Sequence, residues 1–262
     1  PFARYTSVVG VHTSLLTFTA LILPKTSLSS LIHSASVSED LTPRGRLEAI
    51  TKNPLRTVAW ICVGTFMLQA WWSTYTRKWL LESRESLKSD AGTSNVDNAT
   101  EKKLQRQKWN DDRDKLLALA KACIFTLATS LVYSFVIILF GAPLNSHYLH
   151  TLLLSLILAL LTVFSPAYTL GAPTLYSNTE SFVRRLTWIR IFAELSPRSP
   201  IERAILYSSV GAVLGCWVGA IPIGLDWERP WQAWPLTPTY GAIAGYVLGS
   251  LWAVSVNGLR HI

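Results

Sequence analysis

Charge is scarce in this chain. Of its 262 residues only 15% are Asp, Glu, Lys or Arg, and half are hydrophobic, whereas soluble domains usually carry about a quarter charged residues. A soluble globular fold is therefore disfavoured. Cysteine occurs three times, and Cys62, Cys123 and Cys216 each fall inside an apolar run, without CxxC spacing or a histidine partner nearby. They read as packing residues, which excludes a disulfide framework and a thiolate metal site. The sequence has no phosphate loop of the GxxxxGK type and no GxSxG elbow. Acidic residues are missing from the central portions of the apolar runs, which argues against proton-coupled transport or an ion pathway. Basic residues do exceed acidic ones, 24 to 16. They lie in the gaps between apolar runs and form no patterned basic face, which fits membrane flanks and not nucleic-acid binding.

Long apolar stretches are abundant. A helix needs about 20 residues to cross a hydrocarbon core of about 30 Å, and six runs qualify: about Tyr5 to Leu23, Thr57 to Tyr75, Leu117 to Phe140, Leu149 to Leu170, Ala204 to Leu225 and Thr239 to Val254. The expected fold is an all-α membrane protein, a bundle of six transmembrane helices. The first run stops at Pro24; its length, and the lack of a small-residue cleavage pattern, favour a retained helix over a signal peptide. Trp71, Trp72 and Tyr75 stand where an aromatic belt would sit.

The connections differ in kind. From Arg77 to Lys115 the chain is charged and poor in large apolar residues, with Asp90, Ala91, Gly92, Thr93, Ser94 and Asn95 near its middle, so disorder is expected there. Between Ser181 and Leu195, Phe182, Leu186, Ile189 and Ala193 fall on one helical stripe with Arg184, Arg185 and Arg190 nearby, the pattern of an interfacial helix on an anionic leaflet. Lysines and arginines set orientation, because cytosolic loops carry their excess. The two termini and the second and fourth connections hold 17, against 6 in the other three. Both termini are expected in the cytosol. The chain thus divides into 1–75, the first two helices and their luminal loop; 76–116, the charged cytosolic segment; and 117–262, a four-helix membrane region.

Two patterns could carry recognition. Gly211, Gly215 and Gly219 recur every fourth residue in the fifth run, and Gly241, Gly245 and Gly249 do so in the sixth. Each helix gains a smooth face that allows close backbone approach. The two faces either pack on each other as a hairpin or dock a partner's helix. Between them runs Gly224, Leu225, Asp226, Trp227, Glu228, Arg229, Pro230, Trp231, Gln232, Ala233, Trp234, Pro235. Arg229 can neutralise Asp226 or Glu228, and Trp227, Trp231 and Trp234 are spaced to share one face of a short interfacial turn. The density of these residues in so short a turn reads as a rigid docking surface. Asp226 and Glu228 have no histidine or cysteine beside them, so no catalytic residue is assigned. His147, Tyr148 and His150 form a second polar cluster, without a nearby carboxylate to complete a hard metal site. No metal or cofactor is implied.

The run Gly219, Ala220, Ile221, Pro222, Ile223, Gly224, Leu225, Asp226, Trp227, Glu228, Arg229, Pro230, Trp231, Gln232, Ala233, Trp234, Pro235 resembles the PIG-F family. So does the turn Phe140, Gly141, Ala142, Pro143, Leu144. The resemblance extends from about Leu117 to Ser250, and the length of the charged segment is that of a fungal-type member. It implies a non-catalytic, stabilising subunit of glycosylphosphatidylinositol ethanolamine-phosphate transferases in the endoplasmic-reticulum membrane, where large partner chains carry the chemistry in luminal domains. Gly211, Gly215, Gly219, Asp226, Trp227, Glu228, Arg229, Pro230, Trp231, Trp234, Gly241, Gly245 and Gly249 are then the candidate partner-binding residues. A different class stays open: a small lipid-handling protein that binds or scrambles phospholipids, with Arg229 or the histidines near a head group.

Overall fold

The computed structural model describes residues 2–25, 51, 53–90, 101–143, 147–174, 177–225, 227 and 229–260. These residues form helices and short connections. Helix α1, Phe2–Ile22, runs into a single 3-10 turn at Leu23–Lys25, where Pro24 interrupts the ladder. Helix α2, Pro54–Asp90, starts behind Asn53, whose side-chain oxygen accepts from the Arg56 amide at 3.3 Å, with Pro54 in the first helical position. Helix α3, Glu101–Leu139, ends at Gly141, whose φ of 100° only glycine adopts freely. There the Gly141 amide donates to the Ile138 carbonyl at 2.9 Å and the Ala142 amide to the Ile137 carbonyl at 3.2 Å, a paired C-terminal cap that explains the glycine of the Gly141–Ala142–Pro143 turn.

Helix α4, Tyr148–Thr169, is the most buried of the long helices and forms the centre of the bundle. Pro166 lies inside it and has no amide to give the Thr162 carbonyl one turn earlier. The helix widens into a π turn at Leu160–Phe164 just before the proline, and Ser209 of a neighbouring helix donates its hydroxyl to the Thr162 carbonyl at 3.2 Å. A short helix α5, Thr179–Trp188, continues as a π turn through Ile189–Ala193. Helix α6, Pro200–Ala220, opens with a reciprocal Ser199–Glu202 capping box, and helix α7, Leu236–Leu259, completes the bundle. The α6–α7 pair is the most extensive contact of the fold; α4 packs against α2, α3 and α6, and α1 closes the group against α2 and α7.

Among the described residues, five helices are long and apolar enough to cross a membrane: α1, α3, α4, α6 and α7. The sixth expected span, Thr57 to Tyr75, lies in α2, which falls short in apolarity. The reason is visible in its packing. Thr65, Gln69, Ser73 and Thr76 recur along one face of α2 and are fully buried inside the bundle, and Thr76 shares a hydroxyl contact of 2.8 Å with Thr169 of α4. His12 of α1 stacks on Trp72 of α2 at a centroid distance of 5.0 Å.

The charged segment departs from expectation. Disorder was expected from Arg77 to Lys115, yet helix continues without a break to Asp90 and is present again from Glu101; residues 91–100 lie outside the described residues. The physical reason is composition. Both flanks are rich in Leu, Lys, Arg, Glu and Gln, which lose little rotamer freedom in a helix, and they extend helices already nucleated by apolar runs, so only propagation is required.

Candidate functional site

The two glycine rows meet each other. A Cβ placed on Gly211 would overlap the Gly245 carbonyl, one on Gly215 the Gly241 carbonyl, and one on Gly249 the Tyr207 carbonyl; Gly219 lies against Thr237 in the same way. The hairpin alternative is the one realised, and the glycine faces are spent on joining α6 to α7. At this separation the backbones themselves touch, which places Cα–H groups beside carbonyl oxygens and replaces the driving force that lipid cannot supply.

The outer edges of the same glycines floor a groove on the hairpin's open side, and larger residues wall it. This groove of ≈ 1150 Å³ runs along the hairpin, bordered by Tyr207, Leu214, Val218, Leu248 and Trp252, and reaches Trp231 and Thr237 at the far end. Leu214 is 57% exposed and Trp252 64%. These larger residues line its accessible walls, and sequence reasoning passed over them because attention fell on the periodic glycines. A signal was there: the positions beside a small-residue stripe become groove walls when the stripe is occupied.

The connection between α6 and α7 is organised by Gln232. After α6 the chain makes a 3-10 turn at Ile221–Gly224, and a second at Pro230–Gln232. The Gln232 amide nitrogen donates to the Pro222 carbonyl at 2.6 Å and to the Leu225 carbonyl, while its oxygen accepts from the Arg229 amide at 2.8 Å. One side chain thus ties both turns together. The sequence carried the cue, a Pro at the first position of a turn with Gln two residues later, as in a capping box.

The tryptophans do not share one face. Trp227 and Trp231 form an edge-to-face pair at 5.8 Å, and Trp227 is more than half exposed. Trp234 turns the other way, its indole N–H donating to the Thr151 hydroxyl of α4 at 3.1 Å. It anchors the turn to the centre of the bundle. Arg229 and Pro230 are exposed, while Asp226 and Glu228 lie outside the described residues. His147 and His150 approach to 5.0 Å between ring centroids at the start of α4. Among the described residues no three His, Cys, Asp or Glu side chains gather in one place. The three cysteines are free thiols.

The model of the GPI biosynthesis protein family Pig-F matches residues 34–254. A human protein, "GPI ethanolamine phosphate transferase, stabilizing subunit", is 36% identical over 135 residues, 52% of this chain and 57% of that protein. A Neurospora crassa protein, "Glycosylphosphatidylinositol anchor biosynthesis protein 11", is 37% identical over 134 residues, 51% of this chain and 43% of its own length. A Debaryomyces hansenii protein of the same name is 36% identical over 153 residues, 58% of this chain and 60% of its own. The chain therefore spans about half the length of the curated relatives it matches. No solved structure matches it. With the family model covering most of the chain, from before α2 to near the end of α7, this protein belongs to the GPI biosynthesis protein family Pig-F.

Proposed function

We propose that this chain is a non-catalytic, stabilising subunit of a transferase that adds phosphoethanolamine to mannose of GPI anchor precursors in the endoplasmic-reticulum membrane. The observation that carries the reading is family membership over residues 34–254, joined to the printed role of the human relative as a stabilizing subunit. In this reading α2 is the sixth membrane crossing, its buried polar face shielded by the other helices, and both termini are cytosolic. A large catalytic partner chain supplies the chemistry.

The geometry favours one docking mode. The groove beside the α6–α7 hairpin is long, open and almost wholly apolar, which suits a transmembrane helix of the partner. The Trp227–Trp231 pair, with Trp227 exposed, and the exposed Arg229 stand near its far end, where they meet the partner's luminal part. The glycines then support the interface by holding the hairpin, while Leu214, Val218, Leu248 and Trp252 make the contact.

Affinity purification in mild detergent tests this. The native chain is expected to bring down a large transferase chain, and its loss to lower that partner's abundance. Leu214→Ala with Trp252→Ala is expected to weaken the association while the subunit itself stays folded, because both side chains are largely exposed. Transfer of phosphoethanolamine by the isolated subunit would refute the non-catalytic assignment. Unchanged recovery of the partner with the double variant would refute the groove as the contact.

A further inference from the structure

A second cleft, away from the hairpin, combines charge with an apolar mouth. It measures ≈ 600 Å³ and is bordered by Arg77, Leu80 and Leu81 of α2, the first apolar turns of α3, the end of α4 with the chain that follows, and α5. Three cations line it from three different helices: Arg77 of α2, Lys121 of α3 and Arg184 of α5. Asp114 is the carboxylate among its described lining residues.

Two of the cations are held by specific contacts. The Arg77 guanidinium lies over the Tyr168 ring, 5.0 Å from its centroid. Stacking restrains its plane and leaves its N–H edges for other acceptors. Arg184 lies against Gly171, where a Cβ would come within 2.8 Å of its Nε. Gly171 has a φ of 86°, so glycine both turns the chain out of α4 and leaves room for the guanidinium. The neighbouring Trp188 indole donates to the Gly171 carbonyl at 2.9 Å and fixes this corner. The Glu180 carboxylate approaches Arg184 at 3.5 Å but is 83% exposed, a pairing too solvated to quench the cation.

The mouth of the cleft is apolar. Leu81, Leu117 and Ile124 line it and are exposed. Beside it, α5 leaves Phe182, Val183, Leu186 and Ile189 uncovered, the arrangement of a helix lying in the membrane interface. An apolar rim is of no use to a free anion, but it suits a molecule that carries chains as well as charge.

We infer that this cleft binds the phosphate head group of an anionic phospholipid, with Arg77, Lys121 and Arg184 facing the phosphate and the acyl chains leaving along Leu117 and Ile124. Basic pockets between transmembrane helices bind anionic head groups in this way. The inference concerns a different face from the partner groove and stands independently of it.

Native mass spectrometry of the purified full chain in detergent, with phosphatidylserine and phosphatidylcholine added in equal amounts, reads the preference directly. The native protein and Lys78→Gln, a neighbouring cation on α2 outside the cleft, are expected to retain phosphatidylserine preferentially. Arg77→Gln, Lys121→Gln and Arg184→Gln are each expected to lower that preference about fivefold, the effect of one basic residue at a membrane surface. Asp114→Asn is expected to raise it, and this opposite sign cannot arise from misfolding. An unchanged preference in the three arginine and lysine variants overturns the inference, as does an Asp114→Asn variant with no gain. An added inorganic phosphate that displaces the lipid at equal concentration overturns the lipid assignment in favour of free phosphate.

Discussion

Gly215 and Gly245 show how much a single hydrogen in place of a methyl can decide. Each faces the other helix's backbone so closely that a Cβ would overlap a carbonyl oxygen. Gly215→Ala is therefore expected to force α6 and α7 apart, at about 1–3 kcal/mol by the usual penalty of overpacking, and Gly215→Leu to prevent the hairpin from forming. Thermal unfolding of the purified subunit measures the first and its recovery after expression the second; an alanine variant as stable as the native chain would mean that the two helices separate without loss. Gly10, with open space around it, serves as the comparison, and Gly10→Ala is expected to be neutral or slightly stabilising because alanine has the higher helix propensity. Gln232 is the second such position. Gln232→Ala removes three hydrogen bonds that join the turns at Pro222, Leu225 and Arg229. At about 0.5–1.5 kcal/mol for each net bond, the turn is expected to loosen. Protease cleavage between α6 and α7 should accelerate in this variant, and an unchanged cleavage rate would remove Gln232 from its organising role. The periodic glycines were legible in the sequence because spacing alone puts them on one face. What they touch was not, since two facing stripes fit each other as well as either fits a stranger. Trp234 was misjudged for a related reason: spacing gives an approximate direction along a turn, but the Thr151 hydroxyl that captures its indole lies 83 residues away.

At the scale of elements, Glu202 joins the interfacial helix to the bundle. Its carboxylate accepts from both Arg190 guanidinium nitrogens, at 2.9 and 2.8 Å, and from the Arg198 amide at 2.6 Å, while its own amide donates to the Ser199 hydroxyl. That hydrogen-bonded carboxylate holds the Arg190 guanidinium further toward its charged form than usual. Glu202→Ala is expected to release the α5 end from the start of α6 and to destabilise by about 1.5–3 kcal/mol, the range for hydrogen bonds to a charged group. Glu202→Gln keeps the acceptor that caps the helix start and is expected to fall between the two. Thermal unfolding of the three proteins gives the order, and equal stability of the alanine and glutamine variants would mean that the cap contributes nothing. The apolar stretches of α1, α3, α4, α6 and α7 were readable from composition because lipid demands long uninterrupted apolar segments. The same rule fails in two places. It does not separate residues that face lipid from residues that face protein, as in α2, whose Thr65, Gln69, Ser73 and Thr76 are buried against the other helices. It also cannot see where a helix goes after leaving the membrane, as the continuations to Asp90 and from Glu101 show.

For the whole molecule, orientation is the property on which the remaining proposals turn. The positive-inside rule counts Lys and Arg and not net charge, and the segment from Arg77 to Lys115 is the most basic connection of the chain. That end of α2 and α3 also forms the walls of the basic cleft, so one assignment places the cleft against the anionic cytosolic leaflet and the Trp227–Trp231 turn on the opposite, luminal side. A single acceptor pattern for N-glycosylation, Asn98–Ala99–Thr100, falls in the basic segment, outside the described residues. A cytosolic acceptor never meets the glycosylation machinery. Asn98 is therefore expected to remain unmodified, whereas an acceptor engineered between Pro24 and Arg56, in the connection placed in the lumen, is expected to gain a glycan. Electrophoresis of both forms with and without a glycan-removing enzyme distinguishes the two orientations. A mobility shift that depends on Asn98 would invert the molecule, carrying the tryptophan turn to the cytosol and away from any luminal catalytic domain, and setting the basic cleft against the leaflet that is poorer in anionic lipid.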